Sequence, residues 1–156
     1  MSFSIRSACR ADAAAVMRLR RRAILAGCKG HYAAEDLAIW TEGEPGEAFL
    51  ADLERAFYLV EANGELAGSG MVDLKTGQVD AIFTDPDWTG QGVAAAMMAH
   101  LEALARQQGL AKLTLDATLN AAPFYRRCGF SGEALSHYHS PRGLTLSCVP
   151  MEKGLV

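Results

Sequence analysis

The chain has 156 residues, 50% of them hydrophobic, and a formal net charge of −3 at pH 7. This length suffices for one domain with a substantial core, and we expect a single domain over residues 1–156. The mildly acidic charge gives no support for a nucleic-acid partner. No apolar stretch approaches the roughly 20 residues of a membrane span, and no signal peptide is recognisable, so we expect a cytoplasmic protein without a membrane partner.

The first third of the chain predicts one strand and three helical segments. Residues 3–6 alternate in polarity and predict a strand, and Asp12 can cap the helix that follows. Residues 32–40 predict a shorter helix, and Pro45 begins a third helical piece that reaches about residue 54. The first helix has a predicted buried face of Val16, Leu19, Ala23 and Ala26. Its arginines are interpreted as a solvated side: Arg18, Arg20, Arg21 and Arg22.

The middle of the chain changes to the two-residue period of strands. Residues 57–62 and 65–74 flank Asn63-Gly64, a strong hairpin turn, and residues 78–84 predict the next strand of the same meander. The two-residue period predicts that one face of this last strand carries Gln78, Asp80, Ile82 and Thr84.

The segment that follows is the most specific signal in the chain. It reads as a strand, a turn with Gly90 and Gly92, and a long helix over residues 92–108. The glycines leave the first backbone N–H groups of the helix uncovered, and such a terminus attracts anions, above all a pyrophosphate. Taken alone, the same turn is also compatible with an ordinary loop. The buried face of the helix is predicted to contain Val93, Met97, Met98, Leu101, Leu104 and Ala105.

The last third predicts a strand over residues 113–117, a short helix over residues 121–128 and two strands over residues 133–139 and 144–151. A turn at Pro141-Arg142-Gly143 separates the last two strands. The predicted order is therefore β-α-α-β-β-β-α-β-α-β-β. This is an α+β arrangement on a mixed, mostly antiparallel sheet with flanking helices, and it differs from the alternating pattern of a dinucleotide fold.

A second motif lies about thirty residues after the glycine turn. It consists of Asn120, the pair Phe124-Tyr125 and the pair Gly129-Phe130. Taken alone, the aromatic pair is compatible with core packing. Both motifs in this order and spacing indicate an enzyme that handles a nucleotide-linked acyl thioester.

With these motifs the chain resembles the GCN5-related N-acetyltransferase (GNAT) superfamily over nearly its whole length, and in particular small bacterial members. The family's phosphate-binding pattern, Gln/Arg-x-x-Gly-x-Gly/Ala, falls on residues 89–94, and its pattern Asn…Phe-Tyr-x-x-x-Gly-Phe falls on residues 120–130. The first position is Thr89 rather than Gln or Arg, which predicts weaker or different phosphate contacts. The resemblance also implies that the two central strands splay apart.

The resemblance implies a single N-acetyltransferase domain that uses acetyl-CoA as co-substrate and no metal. The pyrophosphate would lie on the N–H groups of residues 91–94, the pantetheine arm would pair with residues 82–84, and Asn120 would hydrogen-bond that arm. The implied cofactor-binding residues are Ile82, Phe83, Thr84, Thr89, Gly90, Gln91, Gly92, Val93, Ala94, Asn120 and Tyr125.

The implied reaction is direct transfer of an acetyl group to a primary amine. Tyr125 would protonate the departing thiolate, and the backbone N–H of Phe83 would bind the oxyanion. Asp80 is the first choice for the base, acting directly or through water, because Gln78 at the other candidate position cannot accept a proton. An ordinary exposed or hydrogen-bonded strand residue remains the alternative for Asp80.

Three residues are candidates for contact with the acceptor: Tyr32, Trp40 and His137. The alternative for Tyr32 and Trp40, which the sequence favours slightly, is packing of the helices on the sheet. His137 and His139 share one face of a predicted strand, as in some metal sites, but no third ligand is visible. The expected acceptor is a small molecule, and the resemblance is compatible with a homodimer. The alternatives are a non-catalytic acyl-CoA-binding or sensing domain, and a protein or peptide N-acetyltransferase.

Overall fold

In the computed structural model, residues 2–140 and 143–156 are described, so Pro141 and Arg142 of the predicted last turn lie outside the described residues. The strands are β1 (Phe3–Ser7), β2 (Phe57–Ala62), β3 (Glu65–Val72), β4 (Val79–Thr84), β5 (Lys112–Ala117), β6 (Ser136–His139) and β7 (Thr145–Gly154). The α-helices are α1 (Ala13–Gly27), α2 (Ala34–Trp40), α3 (Glu47–Ala56), α4 (Val93–Gln107) and α5 (Ala122–Arg127). Short 3-10 turns span Arg10–Asp12 and Pro86–Trp88.

The predicted fold class is confirmed, with small corrections in the first third of the chain. The third helical piece predicted after Pro45 is confirmed as α3, so three helices separate β1 from β2, where the predicted order of elements contained two. Asp12 precedes α1 but does not cap it, because its carboxylate accepts the N–H of Cys9 at 2.9 Å instead. Ile24 is buried in α1, whereas Ala26 of the predicted buried face is exposed.

The sheet consists of two antiparallel halves, β1-β2-β3-β4 and β5-β7-β6. The halves meet where β4 approaches β5, at one isolated parallel bridge between Gln78 and Thr114. At this bridge the N–H of Thr114 donates to the carbonyl oxygen of Gly77 at 2.9 Å. Beyond it the described parts of β4 and β5 are not paired, so a gap opens between them. The predicted splaying of the central strands is thereby confirmed.

A β-bulge interrupts β4 at Ala81, whose φ of 57° lies in the left-handed region. The hydroxyl of the buried Ser69 donates to the carbonyl oxygen of Ala81 at 2.8 Å and stabilises this conformation. The bulge breaks the two-residue alternation. Ile82 packs towards α4, whereas Ala81 packs among residues of α1 and α3. The prediction that Gln78, Asp80, Ile82 and Thr84 share one face is therefore wrong beyond Asp80.

Helix α4 lies very close to β3 because β3 carries glycine where the two touch. A Cβ atom on Gly68 would lie 2.5 Å from Cγ1 of Val93, and one on Gly70 would lie 2.5 Å from Cγ of Met97. The largest hydrophobic cluster surrounds this contact and contains the completely buried Met97 and Leu101. The close approach places the first turn of α4 beside the end of β4.

Two smaller hydrophobic clusters lie on the other side of the sheet. One joins α1 and α3 to β2 through Val16, Leu53 and Leu59. The other joins the end of α1 to α2 through Ile24, Cys28 and Leu37. These helices form a wall above β4 and β5, and the space beneath the wall opens into the gap between the strands.

Candidate active site

A cleft of about 1170 Å³ runs along the gap between β4 and β5. Its walls come from α1, α3, the start of α4, α5, and the hairpin of β6 and β7. Most of the predicted site residues line it: Tyr32, Trp40, Asp80, Ile82, Phe83, Thr84, Thr89, Gly90, Gly92, Val93, Ala94, Asn120 and Tyr125.

At one end of the cleft the head of α4 is open. The N–H groups of residues 91–95 find no acceptor among the described residues, and Ala96 is the first to bond back, to Gly92 at 3.0 Å. Gly90 and Gly92 have φ values of 79° and 89°, a conformation that favours glycine. No side chain lies within 4 Å of the position that a Cβ on Gly90 would take. The helix start is thus a free anion-binding surface.

Two carboxylates lie in the loop just before this helix, and α1 compensates their charge. Arg22 contacts Asp85 at 3.2 Å and Asp87 at 3.3 Å. These carboxylates raise the pKa of Arg22, chiefly through the hydrogen bond to Asp85. The neighbouring Arg20 is half-buried, lines the cleft and donates to the carbonyl oxygen of Trp40 at 3.0 Å. The prediction of a wholly solvated arginine side is therefore wrong for Arg20.

The backbone of β4 offers hydrogen-bonding groups to the gap. Asp85 N–H donates to Ala67 on β3 at 2.8 Å, and Phe83 stands opposite Ser69. Since an antiparallel ladder alternates, the backbone groups of Phe83 also face β3, and those of Ile82 and Thr84 face the gap. The expectation that Phe83 provides the oxyanion N–H is therefore corrected, because that N–H belongs to the ladder.

Tyr125 of α5 lines the cleft and packs in the cluster that contains residues of both halves of the sheet. Its ring packs against Phe124 and Phe130, with centroid separations of 5.2 and 6.0 Å. The residue is only 7% exposed, and its hydroxyl has no hydrogen-bond partner among the described residues. Burial raises the pKa of this hydroxyl well above its ordinary value of 10.0, so it stays protonated at neutral pH.

Asp80 lies on β4 just before the bulge and is exposed to the open cleft. The surrounding protein nevertheless removes much of its hydration, which raises the pKa of Asp80 from 3.8 to about 6. Neighbouring negative charges, first Asp116 and then Asp52, add to the shift. Asp80 also acts on the pKa of Tyr125, so the two groups share one electrostatic environment.

Asn120 and Tyr32 belong to one hydrogen-bonded junction at the edge of the cleft. The thiol of Cys28 donates to the amide oxygen of Asn120 at 3.3 Å. The hydroxyl of Tyr32 donates to the carbonyl oxygen of Ser147 at 2.6 Å and accepts the N–H of Leu119 at 3.1 Å. Tyr32 therefore joins the helical wall to both β7 and the loop that carries Asn120.

The other two acceptor-side candidates occupy different places. Trp40 lines the cleft and packs edge-on against Tyr32, with centroids 6.2 Å apart. His137 is exposed on β6 and does not line the cleft, because alternation along the strand turns its neighbour Tyr138 towards it instead. Among the described residues, no group of three His, Cys, Asp or Glu side chains could hold a metal ion.

Sequence reasoning overlooked Asp116 and Tyr138, which both line the cleft. Asp116 had no motif around it, and its position depends on the distant pairing of Gln78 with Thr114. Tyr138 lies between His137 and His139, and the sequence argument considered only those two histidines.

The described helices include none that is long and apolar enough to span a membrane.

Comparisons with known proteins agree with this architecture. Residues 23–130 match the acetyltransferase (GNAT) family. The chain is 30% identical over 146 residues to aminoglycoside N(6′)-acetyltransferase type 1 of Stenotrophomonas maltophilia, covering 81% of this chain and 85% of the relative. It is 26% identical to the uncharacterized N-acetyltransferase YafP of Escherichia coli, covering 70% of this chain and 68% of YafP.

Solved structures share the fold. A GCN5-related N-acetyltransferase from Rhodopseudomonas palustris superposes with a TM-score of 0.89 at 23% identity, covering 99% of this chain and 96% of the other. The PaiA N-acetyltransferase of Thermoplasma acidophilum, solved with coenzyme A, has a TM-score of 0.76 at 18% identity, covering 99% of both chains. From the family match, which spans most of its length, this chain belongs to the acetyltransferase (GNAT) family and is an N-acetyltransferase.

Proposed function

We propose that this enzyme transfers the acetyl group of acetyl-CoA directly to a primary amine of a small-molecule acceptor. The observation that carries the proposal is the order of groups along one cleft. The open head of α4 lies beyond one end of β4, the unpaired backbone of β4 follows, Asp80 lies near the other end of that strand, and Tyr125 of α5 lines the same cleft. This order matches a long molecule with a diphosphate at one end and a reactive thioester at the other.

The cofactor end is supported by the chemistry of the donors. The free N–H groups of residues 91–95 and the positive end of the helix dipole suit a diphosphate. Gly90 and Gly92 let the phosphate oxygens approach the backbone, and Thr89 can add a hydroxyl donor. The unpaired backbone groups of Ile82 and Thr84 suit the amides of a pantetheine arm, and Asn120 adds a side-chain amide. The N–H of Ile82 is then the donor for the oxyanion.

The catalytic roles follow from the two perturbed groups. An alkylamine is almost wholly protonated at neutral pH, so a base must remove a proton before the nitrogen can attack. Asp80, with a pKa of about 6, is a better base than an ordinary aspartate. Tyr125 keeps its proton until a thiolate forms beside it and then donates that proton.

Two observations favour a small acceptor over a protein. The acceptor side of the cleft is bounded by α1, α3 and the β6–β7 hairpin, so an acceptor there is surrounded on several sides. The relative that is 30% identical over most of both chains is named for an aminoglycoside, a small amine-bearing molecule.

The test measures thiol release from acetyl-CoA with a panel of small primary amines and short peptides. We expect turnover with small amines and a loss of about 100-fold in kcat for Tyr125→Phe. Tyr58→Phe is the matched control. Tyr58 lies on β2, its ring packs against His100 of α4, and it does not line the cleft. Coenzyme A binding without thiol release from any acceptor would indicate a sensing domain, and turnover with peptides alone would indicate a protein acceptor.

A further inference from the structure

We propose that Asp116 selects the acceptor, which carries at least two amines. In this arrangement one amine reacts beside Asp80 while a second, positively charged amine binds the carboxylate of Asp116. The inference rests on the proposed acetyl transfer and names the acceptor class for the same cleft.

The topology brings the two carboxylates together. Gln78 and Thr114 form the last bridge between β4 and β5, and Asp80 and Asp116 each lie two residues beyond it. In parallel strands two residues further along is the next pair on the same face, so Asp80 and Asp116 flank the fork where the strands diverge. Both side chains are exposed to the cleft.

No cation of the described chain neutralises this pair. Several other described acids have cationic partners, as Asp12 has Arg6 and Asp52 has Arg55. Neither Asp80 nor Asp116 has an ion pair or a side-chain hydrogen bond among the described residues.

The groups that face Asp80 come from every neighbouring element. They are Asp116 of β5, Asp52 of α3, Tyr125 of α5 and Tyr138 of β6. One cation, Arg20 of α1, also lies near enough to lower the pKa of Tyr138. Negative charge therefore dominates at the fork, and a positively charged ligand would be attracted there.

The hydroxyl of Tyr125 is a second polar group that a ligand at the fork can meet. The side chain is almost wholly buried, but its hydroxyl is accessible from the cleft. Tyr125 is only 7% exposed, its hydroxyl is unpartnered among the described residues, and it lies within the electrostatic reach of Asp80. A molecule bound between Asp80 and Asp116 would lie next to this hydroxyl.

The chemistry of the reaction explains why two amines are needed. The proton of the reacting ammonium passes to the carboxylate of Asp80, which becomes neutral, and the freed lone pair of the nitrogen forms the new bond to the acetyl carbon. The carbon–sulfur bond then breaks, and its electron pair leaves with the sulfur, which takes the proton of Tyr125. The second proton lost by the nitrogen restores that of Tyr125. The carboxylate of Asp116 takes no part in this transfer. A monoamine leaves that carboxylate unpaired, whereas a second ammonium group on the same acceptor pairs with it.

The structure also offers space beside Asp116 for the far end of such an acceptor. A shallow groove of about 540 Å³ adjoins the cleft and shares Gln78, Leu115 and Asp116 with it. The groove continues along Ser131 and Gly132, so an acceptor longer than a simple diamine has somewhere to extend.

The test compares 1,4-diaminobutane with butylamine, which has the same carbon chain and one amine. Calorimetry on the wild type should show the diamine binding about five- to tenfold more tightly, as expected for one partly exposed ion pair. Asp116→Asn should reduce the preference to within about twofold. Glu65→Gln is the matched control, since it removes the same charge from an exposed position at the far end of β3. Equal affinities in the wild type, or a preference that survives Asp116→Asn, would overturn the proposal.

Turnover separates this proposal from the proposed function. A protein that binds the diamine through Asp116 but releases no thiol from acetyl-CoA would contradict acetyl transfer and leave the diamine site standing. A protein that acetylates butylamine as efficiently as the diamine would contradict the diamine site and leave acetyl transfer standing. Asp116→Asn should also lower the pH at which kcat/KM rises, because Asp80 loses the carboxylate that raises its pKa most. A merely structural role for Asp116 would leave that pH unchanged.

Discussion

At the scale of the single residue, Asp80 shows how position changes the chemistry of a carboxyl group. The same aspartate on a solvated strand would titrate near 3.8 and would be a weak base for an ammonium ion. Here desolvation and two carboxylates raise its pKa to about 6. Because the shift depends on α3 and β5, the base exists only in the folded chain.

We expect kcat/KM to rise with pH through about 6 and then level off until other groups titrate. The sign follows from the role of Asp80, which must be deprotonated to accept a proton and is half deprotonated at its pKa of about 6. Asp80→Asn should remove this rise and lower kcat/KM by about 100-fold or more. The measurement is a pH–rate profile at saturating acetyl-CoA. An Asp80→Asn profile that still rises near pH 6 would assign the base to another group.

His100 is a second residue whose environment alters its titration. It lies on α4, its ring packs 4.7 Å from that of Tyr58, and its Nε2 atom is buried without a partner among the described residues. Burial disfavours the charged imidazolium and lowers the pKa of His100 below 6.5. The unfolded chain therefore binds this proton more readily than the folded one.

From this we expect the free energy of unfolding to fall as pH falls below about 6.5, and the fall to end once His100 is protonated in the folded protein as well. Above that range His100 is neutral in both states and contributes no pH dependence. Urea unfolding of wild type and His100→Phe across pH 5–8 measures the effect. The variant should lose this part of the pH dependence, and identical pH dependence in both proteins would exclude His100 as its source.

At the scale of the element, the sequence predicts what neighbouring residues determine. The β2–β3 hairpin follows from Asn63-Gly64, whose φ values of 53° and 78° are those of the predicted tight turn. The head of α4 likewise follows from two nearby glycines. The bulge at Ala81 could not be predicted, since it depends on a hydrogen bond from Ser69 on the adjacent strand. Asp116 was missed for the same reason, because only the pairing of β4 with β5 brings it to Asp80.

The contact of β3 with α4 is an element-scale feature that a single methyl group tests. Gly68→Ala would place its Cβ 2.5 Å from Cγ1 of Val93 and 3.0 Å from the carbonyl oxygen of Phe83. We expect a loss of about 1–3 kcal/mol in the free energy of unfolding from this overpacking. Coenzyme A should also bind more weakly, because the start of α4 must move.

The matched control is Gly154→Ala on β7, where a Cβ would meet no atom within 4 Å. Urea unfolding and coenzyme A titration on both variants measure the two effects. If Gly68→Ala left both stability and binding unchanged, α4 would not depend on the close approach to β3.

At the scale of the whole molecule, the active site lies where the two halves of the sheet separate. The halves share one bridge and are covered by α4 and α5 on one side and by α1 and α3 on the other. A gap that breaks backbone pairing inside a sheet leaves polar groups without partners. Several such groups lie at this gap: the unpaired backbone of β4, the hydroxyl of Tyr125 and the carboxylates of Asp80 and Asp116. Because they lack partners within the protein, they are available to bind a ligand.

Charge is distributed along the same cleft with opposite effects at its two ends. The fork is negative and suits an amine, whereas the head of α4 must accept a diphosphate although Asp85 and Asp87 lie in the preceding loop. Arg22 of α1 contacts both of these carboxylates and so compensates them from outside the loop. The ion pairs thus link the acceptor wall to the phosphate end of the cleft.

Removing Arg22 should therefore weaken coenzyme A binding although the residue is absent from the phosphate motif. In Arg22→Ala two carboxylates lose their counter-ion beside a negatively charged ligand. We expect the Kd for coenzyme A to rise about three- to tenfold at low salt and the difference to shrink as salt is added, since these charges are exposed and screened. Arg21→Ala removes the same charge from the neighbouring exposed position and is the control. Titrations at two salt concentrations measure the effect. A salt-independent loss of affinity would mean that Arg22 acts by packing. An equal loss in Arg21→Ala would mean that it acts by net charge and not through Asp85 and Asp87.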